Sequence, residues 1–384
     1  MTTKDCKHNI QLWLALKLVP RLAIHKKIAL VETFGLVALF PDKNKPSKLT
    51  SANGLSTKQL EAFQHPNWQY ISKIIQASEA CKSSIICFND INYPQLLKEI
   101  YDPPLVLFVQ GNSELLNAQQ LAVVGSRSAS VTGRETAFSI SQQLAQQQFV
   151  VNSGLALGVD AAAHKGALCE EASTIAVVAT GLDQVYPASH KTLAKEIINT
   201  GGAIISEFMP STPARAGHFP KRNRLISGMS LGVLVVEAEM RSGSLITARC
   251  AIEQNREVFA IPSSIENQQA KGCHWLIKQG AKLVEQCADI VDEFAFTNKP
   301  SLHLKRSAYN NISIKQQSTQ GENEETQKSL SNDALLASVG FEITPVDKVV
   351  SRSKLPVEEV LTRLTMLELS GLVSAVPGGY IRTQ

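Results

Sequence analysis

The sequence has few cysteines and no long apolar run, and these two shortages exclude several classes of protein. Its 384 residues include seven scattered cysteines and no C-x-x-C pair, so neither a disulfide framework nor a zinc site is expected. No apolar stretch reaches the roughly 18 residues that span a bilayer. The first residues, MTTKDCKHNI, lack the basic and apolar regions of a signal peptide. We therefore expect a cytoplasmic protein without membrane insertion.

The signatures of the common nucleotide-binding enzymes are also missing. No G-x-x-x-x-G-K-[ST] occurs, and the turn at Gly125–Arg127 is not part of a G-x-G-x-x-G. The next strand ends in Asn152-Ser153-Gly154, without the acid that would bind a ribose hydroxyl. A P-loop NTPase and a dinucleotide-dependent enzyme are therefore not expected. The net charge of +4 is too small to identify a nucleic-acid partner, so only local clusters of charge are informative.

Apolar, β-branched runs alternate with helical patterns through the middle of the chain. The runs are LAVVG, FVVNSG, TIAVVATG, AIISE, GVLVVEA, EVFAIP and AKLVE. Strands that are apolar throughout are buried on both faces, as in parallel sheets covered by helices. Residues 89–297 are therefore predicted to form an α/β domain with a Rossmann-like, doubly wound, mostly parallel sheet.

Three other segments flank this core. Residues 1–88 have apolar residues at helical spacing and are predicted to form a small helical domain. Residues 298–332 are polar and lack periodicity, which predicts a flexible linker. Residues 333–384 read as three short helices and a hairpin that turns at Pro377–Gly379. This order predicts a winged-helix domain.

The expected recognition helix of that winged helix is acidic. It carries Glu358, Glu359 and Glu368 against Arg363 alone. Such a helix is poorly suited to a groove lined by phosphates. We therefore expect the domain to bind protein, or its own chain, and not duplex DNA.

Polar, glycine-bearing turns follow several of the predicted strands. Gly125–Arg127 follow one strand, and Ser153-Gly154 follow the next. Carboxyl ends of parallel strands and the helix starts beside them collect anions, so these turns are candidate phosphate contacts. Ser242-Gly243 follow another strand, although a plain helix N-cap explains them equally well.

The strongest local cluster of charge is RAGHFPKRNR, residues 215–224. Between Phe208 and Ser230 the chain has four basic residues and no acid, which matches a site for a phosphate backbone. The alternative is a solvated basic loop. Phe219 lies within the cluster and is either a platform on which a base stacks or an aromatic residue of the core.

Two carboxylates, Glu207 and Glu237, close predicted strands. They are a candidate pair for acid–base catalysis on a nucleotide-derived substrate. The alternative is that such carboxylates cap loops or pair with arginines, here Arg222 or Arg224. His164 lies in an alanine-rich helix and is most simply a packed, hydrogen-bonded side chain.

Taken together, the motifs resemble the bacterial DNA-processing protein A (DprA, also called Smf) family. They are Tyr93-Pro94, Asp102–Pro104, VGSR, SGLALGVDAAAH, GLDQVYP, Ser206-Glu207, FPKRNRLISG, Glu237-Ala238 with SGSLITA, and VFAIP. The resemblance implies a core that binds single-stranded DNA through a basic pocket, forms a homodimer and helps load RecA during natural transformation. It implies a sterile-alpha-motif-like first domain and a C-terminal winged helix, and no catalytic activity, cofactor or metal.

The resemblance also assigns DNA-contacting residues to this chain. They are Gly125, Ser126, Arg127, Ser153, Gly154, Lys221, Arg222, Asn223 and Arg224, with Lys165 and Lys191 as additions. Together with Phe219, Ser242 and Gly243 they form the predicted site. The chain departs from the family's pattern at His190, Ser263 and His274, and VPRLAIHKK lacks the Gly-x-Gly turn of a helix-hairpin-helix. Independent DNA binding by the first domain is therefore not expected.

A second hypothesis from another class is a nucleotide-hydrolysing, lysine-decarboxylase-like Rossmann enzyme. Such proteins carry a P-G-G-x-G-T turn inside the core. Here P-G-G occurs only at Pro377–Gly379, in the C-terminal segment.

Overall fold

A computed structural model describes residues 3–41, 49, 54–170, 173–295 and 335–383. The chain divides into one unit of Met1–Ala129 and Gly133–Val291 and a second of Ser130–Thr132 and Asp292–Gln384. The predicted linker at 298–332 lies outside the described residues. Within the described ranges, no helix has the length and apolar character needed to cross a bilayer.

Among the residues described before Ser84, the first unit has five helices. They are α1 (Thr3–Leu18), α2 (Ile24–Phe34), α3 (Leu36–Leu39), α4 (Thr57–Gln64) and α5 (Trp68–Ala80). Helix α4 starts at a capping box in which Ser56 and Gln59 satisfy each other's backbone N–H groups. Trp13 and Phe63 are buried in one cluster with Phe108 and Ala176 of the sheet. The helical segment predicted from residues 1–88 is therefore a layer against one face of the sheet.

The sheet of the first unit has nine strands. They are β1 (Ser84–Cys87), β2 (Val106–Gly111), β3 (Gln120–Val124), β4 (Val150–Ser153), β5 (Thr174–Val177), β6 (Ala203–Ser206), β7 (Gly232–Val235), β8 (Glu257–Ala260) and β9 (Lys282–Leu283). Strand β1 is antiparallel to β2 and β2 to β6, whereas β3 to β9 pair in parallel. The mostly parallel sheet is confirmed. Its first strand begins before residue 89, where the core was predicted to start.

The strand order explains where a ligand can bind. It is β1-β2-β6-β5-β4-β3-β7-β8-β9, so the chain moves outward from β3 to β6 and then returns to place β7 on the other side of β3. In doubly wound sheets the crevice lies at this reversal, outside the carboxyl ends of the strands. Here the reversal lies between β3 and β7.

Helices connect the strands and cover both faces. They are α6 (Gln95–Lys98), α7 (Val131–Gln146), α8 (Val159–Ala167), α9 (Lys191–Asn199), α10 (His218–Met229), α11 (Gly243–Glu253), α12 (Lys271–Lys278) and α13 (Cys287–Ala295). Leu225 of α10 and Ala248 of α11 belong to the buried cluster on one face, and Leu193 of α9 to the cluster that includes the N-terminal helices. Helix α10 makes the return from β6 to β7.

The C-terminal unit has the winged-helix arrangement. It contains α14 (Val346–Ser353), α15 (Val357–Leu369) and the antiparallel hairpin β10 (Val373–Val376) and β11 (Gly379–Arg382), with Thr344 bridged to Tyr380. Leu364 and Val349 are fully buried in its core. The prediction of the first of the three helices is wrong, because Leu336–Ser338 form only a short 3-10 turn.

A charged seam joins the helical layer to the sheet. We use this name for Lys17, Lys27, Asp102, Glu207 and Arg224. The Nζ of Lys17 donates to the backbone oxygen of Glu207 at 2.9 Å, and the Nζ of Lys27 donates to the backbone oxygen of Lys17 at 2.9 Å. Burial lowers the pKa of each lysine from 10.5 to about 8, and the neighbouring cations add to the effect. The seam therefore holds two lysines in an environment that disfavours their charge.

The seam makes stability depend on pH in the alkaline range. The folded chain loses the Lys27 proton near pH 8, whereas the unfolded chain keeps it until about pH 10.5. The free energy of unfolding therefore gains a contribution of about 3 kcal/mol at most as the pH rises across this window. We expect Lys27→Met to reduce that gain in urea denaturation from about pH 7 to 10.5. The exposed Lys58→Met is the control, and an unaltered pH profile for Lys27→Met would contradict the interpretation.

Candidate nucleic-acid interface

A cavity of about 680 Å³ opens at the reversal between β3 and β7. Its walls come from Val124 at the end of β3 and the loop that follows (125–128), the start of α10, and the segment from Glu239 to Thr247 after β7. Of the predicted site residues, the cavity brings together Gly125, Ser126, Arg127, Phe219, Arg222, Asn223, Ser242 and Gly243. The turn after β3 and the basic segment, far apart in sequence, thus form one site.

The loop after β3 is fixed by close backbone packing. A Cβ on Gly125 would lie 2.5 Å from a methyl of Val159, and one on Gly158 would lie 2.2 Å from the oxygen of Ser126. Gly158 also has φ of +75°, which favours glycine. The N–H of Ser126 donates to the oxygen of Glu237 at 2.7 Å. This loop is held in place by glycines, and one of the amides expected to meet a phosphate is already bonded within the protein.

The turn after β4 has internal partners as well. Ser153 is fully buried and its Oγ donates to the oxygen of Val123 at 2.7 Å. The N–H of Gly154 donates to the carboxylate of Asp160 at 3.1 Å. The structure therefore gives both predicted contacts a role in supporting the floor of the site.

Arg222 lies inside the protein and not on its surface. It is 4% exposed, and its Nη1 donates to the oxygens of Gly154 (2.8 Å) and Val177. Burial lowers its pKa to about 10, against the opposing effect of Asp160. A Cβ on Gly154 would lie 2.3 Å from that Nη1, so only glycine leaves room. Arg222 anchors α10 on the ends of β4 and β5.

Arg224 likewise forms ion pairs within the protein. Its Nη2 lies 2.5 Å from Oε2 of Glu207, and its Nε lies 3.7 Å from Asp102. The pairing of Glu207 with an arginine, weighed from the sequence against catalysis, is the arrangement observed. Glu207 and Glu237 are each 4% exposed and are not among the residues that line the cavity.

Arg127, Phe219 and Tyr186 form an aromatic cluster at the mouth of the cavity, in which the planes of the two rings are tilted by 55°. The guanidinium of Arg127 lies 5.1 Å from the centre of the Phe219 ring, and the Tyr186 ring lies 5.7 Å from Phe219. Tyr186 is 48% exposed. A cation and two adjacent rings at a solvent-facing edge provide both charge for a phosphate and a surface for a base.

The remaining basic side chains lie at the rim or beyond it. Arg215 and Arg241 are exposed and line the cavity, together with the carboxylates of Asp160 and Glu239. Lys221 is half-exposed just outside, with its Nζ 3.9 Å from Glu207 and 5.8 Å from the Phe208 ring. Lys165 on α8 and Lys191 on α9 are exposed residues outside the cavity lining.

A hydrogen bond joins α10 and α11, two helices whose first residues line the cavity. The Nδ2 of Asn223 donates to the oxygen of Gly243 at 3.2 Å, and Ser242 caps α11 by accepting from the N–H of Ser244. The capping role considered for Ser242 is therefore present, and the residue also faces the cavity.

Sequence reasoning missed Tyr186 and Arg241 as site residues. Tyr186 lies in GLDQVYP, which carried only the family resemblance, and Arg241 immediately precedes the Ser242 cap. Arg241 could have been predicted from its position shortly after the strand GVLVVEA, because residues that follow parallel strands lie at the carboxyl edge of the sheet. His164 is packed as expected, bonded to Leu155 and Thr174, with its pKa lowered to about 3 by burial.

The buried position of Arg222 predicts an effect on stability. Arg222→Met leaves the oxygens of Gly154 and Val177 without their donor, so we expect the free energy of unfolding to fall by about 2–5 kcal/mol. The exposed Arg127→Met should change it by about 0.5 kcal/mol or less. Urea denaturation at neutral pH measures both. Wild-type stability in Arg222→Met would contradict the anchoring role.

Comparison with known proteins connects this site to a family. A model described as DNA recombination-mediator protein A matches residues 84–295, and a model of the DprA winged helix domain matches residues 322–379. The chain is 43% identical to Protein Smf of Escherichia coli over 86% of this chain and 85% of that protein. It is 48% identical to DNA processing protein DprA of Streptococcus pneumoniae over 53% of this chain and 72% of that protein.

Two solved structures resemble the fold. DprA from Streptococcus pneumoniae superposes with a TM-score of 0.64 and 36% identity, covering 74% of this chain and 98% of that one. DprA from Helicobacter pylori, described for its single-stranded DNA binding mode, superposes with a TM-score of 0.51 and 26% identity, covering 57% and 99%. With both family models matched in order and a relative similar along most of its length, the chain belongs to the DNA recombination-mediator protein A (DprA/Smf) family.

Proposed function

We propose that the cavity and its rim bind single-stranded DNA without sequence readout. The observation that carries this proposal is the cluster of Arg127, Phe219 and Tyr186 at the cavity mouth. Single strands are held by basic grooves with aromatic platforms, and duplex DNA presents no base faces to such a platform. Arg215, Arg241 and Lys221 supply further positive charge around the mouth.

Within the activity of a recombination mediator, we infer that the protein protects incoming single strands and helps load RecA during natural transformation. This role places it in the cytoplasm and requires no catalytic step. RecA is then a protein partner, and a faster start of RecA filament growth on DNA covered by this protein would support the role. The ion pair between Glu207 and Arg224 supports a structural role for this carboxylate over the catalytic role that the nucleotide-hydrolysing alternative gives it.

A homodimer through the core is part of the same proposal. Strand β9 is an edge of the sheet, and the apolar side chains Ile265, Trp275 and Leu283 near it are 80%, 38% and 42% exposed. An unpaired edge with exposed apolar residues suits pairing with a second copy. Sedimentation over a range of protein concentrations measures the oligomeric state directly.

The winged helix is proposed to bind protein and not duplex DNA. In α15, Glu358 and Glu368 are exposed, and Arg363 is bonded to Glu359 at 2.6 Å. The positive charge of Arg363 is thus paired with the carboxylate of Glu359, one turn away on the same helix.

The central test measures affinity against salt. We expect Arg127→Ala and Lys221→Ala each to weaken binding of a fluorescent oligo(dT), because each removes a cation. Each should also reduce the slope of log affinity against log salt by about 0.7, the value for one phosphate contact on a single strand. Fluorescence anisotropy over a salt series measures both quantities, with the exposed Lys278→Ala as the control.

Parallel titrations with single-stranded DNA, duplex DNA and a mononucleotide complete the test. A preference for the mononucleotide over the single strand would contradict the proposed function and would favour the nucleotide-hydrolysing hypothesis.

A further inference from the structure

A second pair of aromatic rings lies directly beside the cavity mouth. His218, the residue before Phe219, stacks on Phe208 with ring centres 4.3 Å apart and planes 22° apart. The Nζ of Lys221 lies 5.8 Å from the centre of the Phe208 ring. Both rings are partly exposed. A cation beside a pair of aromatic rings thus occurs a second time, next in sequence to Phe219 of the first cluster.

A third pair lies where the helical layer meets the core. The Tyr101 ring lies 5.9 Å from the ring of His25 on α2. Tyr101 is 85% exposed, and His25 is exposed too. The next residue, Asp102, has its carboxylate 3.7 Å from Arg224 on α10. We call Tyr101 and His25 the outer platform. The ion pair between Asp102 and Arg224 links it to α10, which contributes His218, Phe219 and Lys221 to the other two aromatic groups.

The surface around the outer platform is basic for an independent reason. Residues 17–31 contain no acid, and of their four basic residues Lys17 and Lys27 belong to the charged seam. Arg21 and Lys26 are exposed within this segment. Asp102, the residue after Tyr101, has its carboxylate 3.7 Å from Nε of Arg224, and Oε2 of Glu207 lies 2.5 Å from Nη2 of the same arginine. Charge and aromatic surface therefore coincide here as they do at the cavity mouth.

We propose that a bound single strand continues from the cavity mouth, past Phe208 and His218, to the outer platform, where a further base stacks on Tyr101. This inference rests on the proposed function and extends it to the N-terminal helices. It accounts for an exposed tyrosine in a basic surface without asking the helical layer to bind DNA alone. Single strands of four to sixteen nucleotides, roughly, are the usual span of such sites.

Oligonucleotide length separates the outer platform from the cavity. For wild type we compare (dT)6, long enough to occupy the cavity, with (dT)20, long enough to reach the platform. We expect Tyr101→Ala to weaken binding of (dT)20 by about fivefold or more, the loss for one stacked base, and to leave (dT)6 unchanged. Tyr101→Trp should retain the affinity for (dT)20, and His25→Ala should reduce it.

A matched control comes from Ile91, which is 87% exposed and lies outside the three aromatic pairs. Ile91→Ala should bind both oligonucleotides as wild type does. Equal affinities of wild type and Tyr101→Ala for (dT)20 would overturn the outer platform and leave the proposed function intact. An equal loss for (dT)6 and (dT)20 would overturn it too, because Tyr101 would then act on the cavity. Failure of wild type to bind either length would remove the proposed function itself.

Discussion

The hydrogen bonds from the Arg222 guanidinium to the ends of β4 and β5 are the contact on which the site depends. They hold α10 across the carboxyl edge of the sheet, at Gly154 and Val177. Because α10 makes the return from β6 to β7, its first residues form one wall of the cavity at the carboxyl edge of the sheet. Residues on its outer side are then presented to solvent at a fixed place.

The basic segment is therefore divided between two tasks. Arg222 and Arg224 bond inward, to backbone oxygens and to Glu207, whereas Arg215 and Lys221 remain at the surface. Buried cations of this kind are stable only with partners, and each has them. A cluster that looks uniform in sequence thus combines residues that build the site with residues available to a ligand.

Part of this division between buried and exposed basic residues could be predicted from the sequence. Arg222, Leu225, Ile226 and Met229 recur at the spacing of one helix face, so the burial of Arg222 was implied by its apolar neighbours in the helix. The hydrogen-bond partner of Ser126 could not be predicted from the sequence. Its N–H donates to the oxygen of Glu237, which follows β7, and β7 lies next to β3 only because of the return crossover. The parallel sheet was predictable because its strands are apolar throughout. The short 3-10 turn at Leu336–Ser338 was not, because a few apolar residues at helical spacing cannot set the length of a helix.

The N-terminal helices and the sheet share one buried cluster, which fixes the position of the helical layer relative to the cavity. Since Trp13 and Phe63 pack in one core with Phe108 and Ala176, the helical layer keeps a fixed distance from the crevice. For the proposed path of the strand, this fixed separation between the cavity mouth and the outer platform sets the shortest polymer that contacts both, independently of its base sequence.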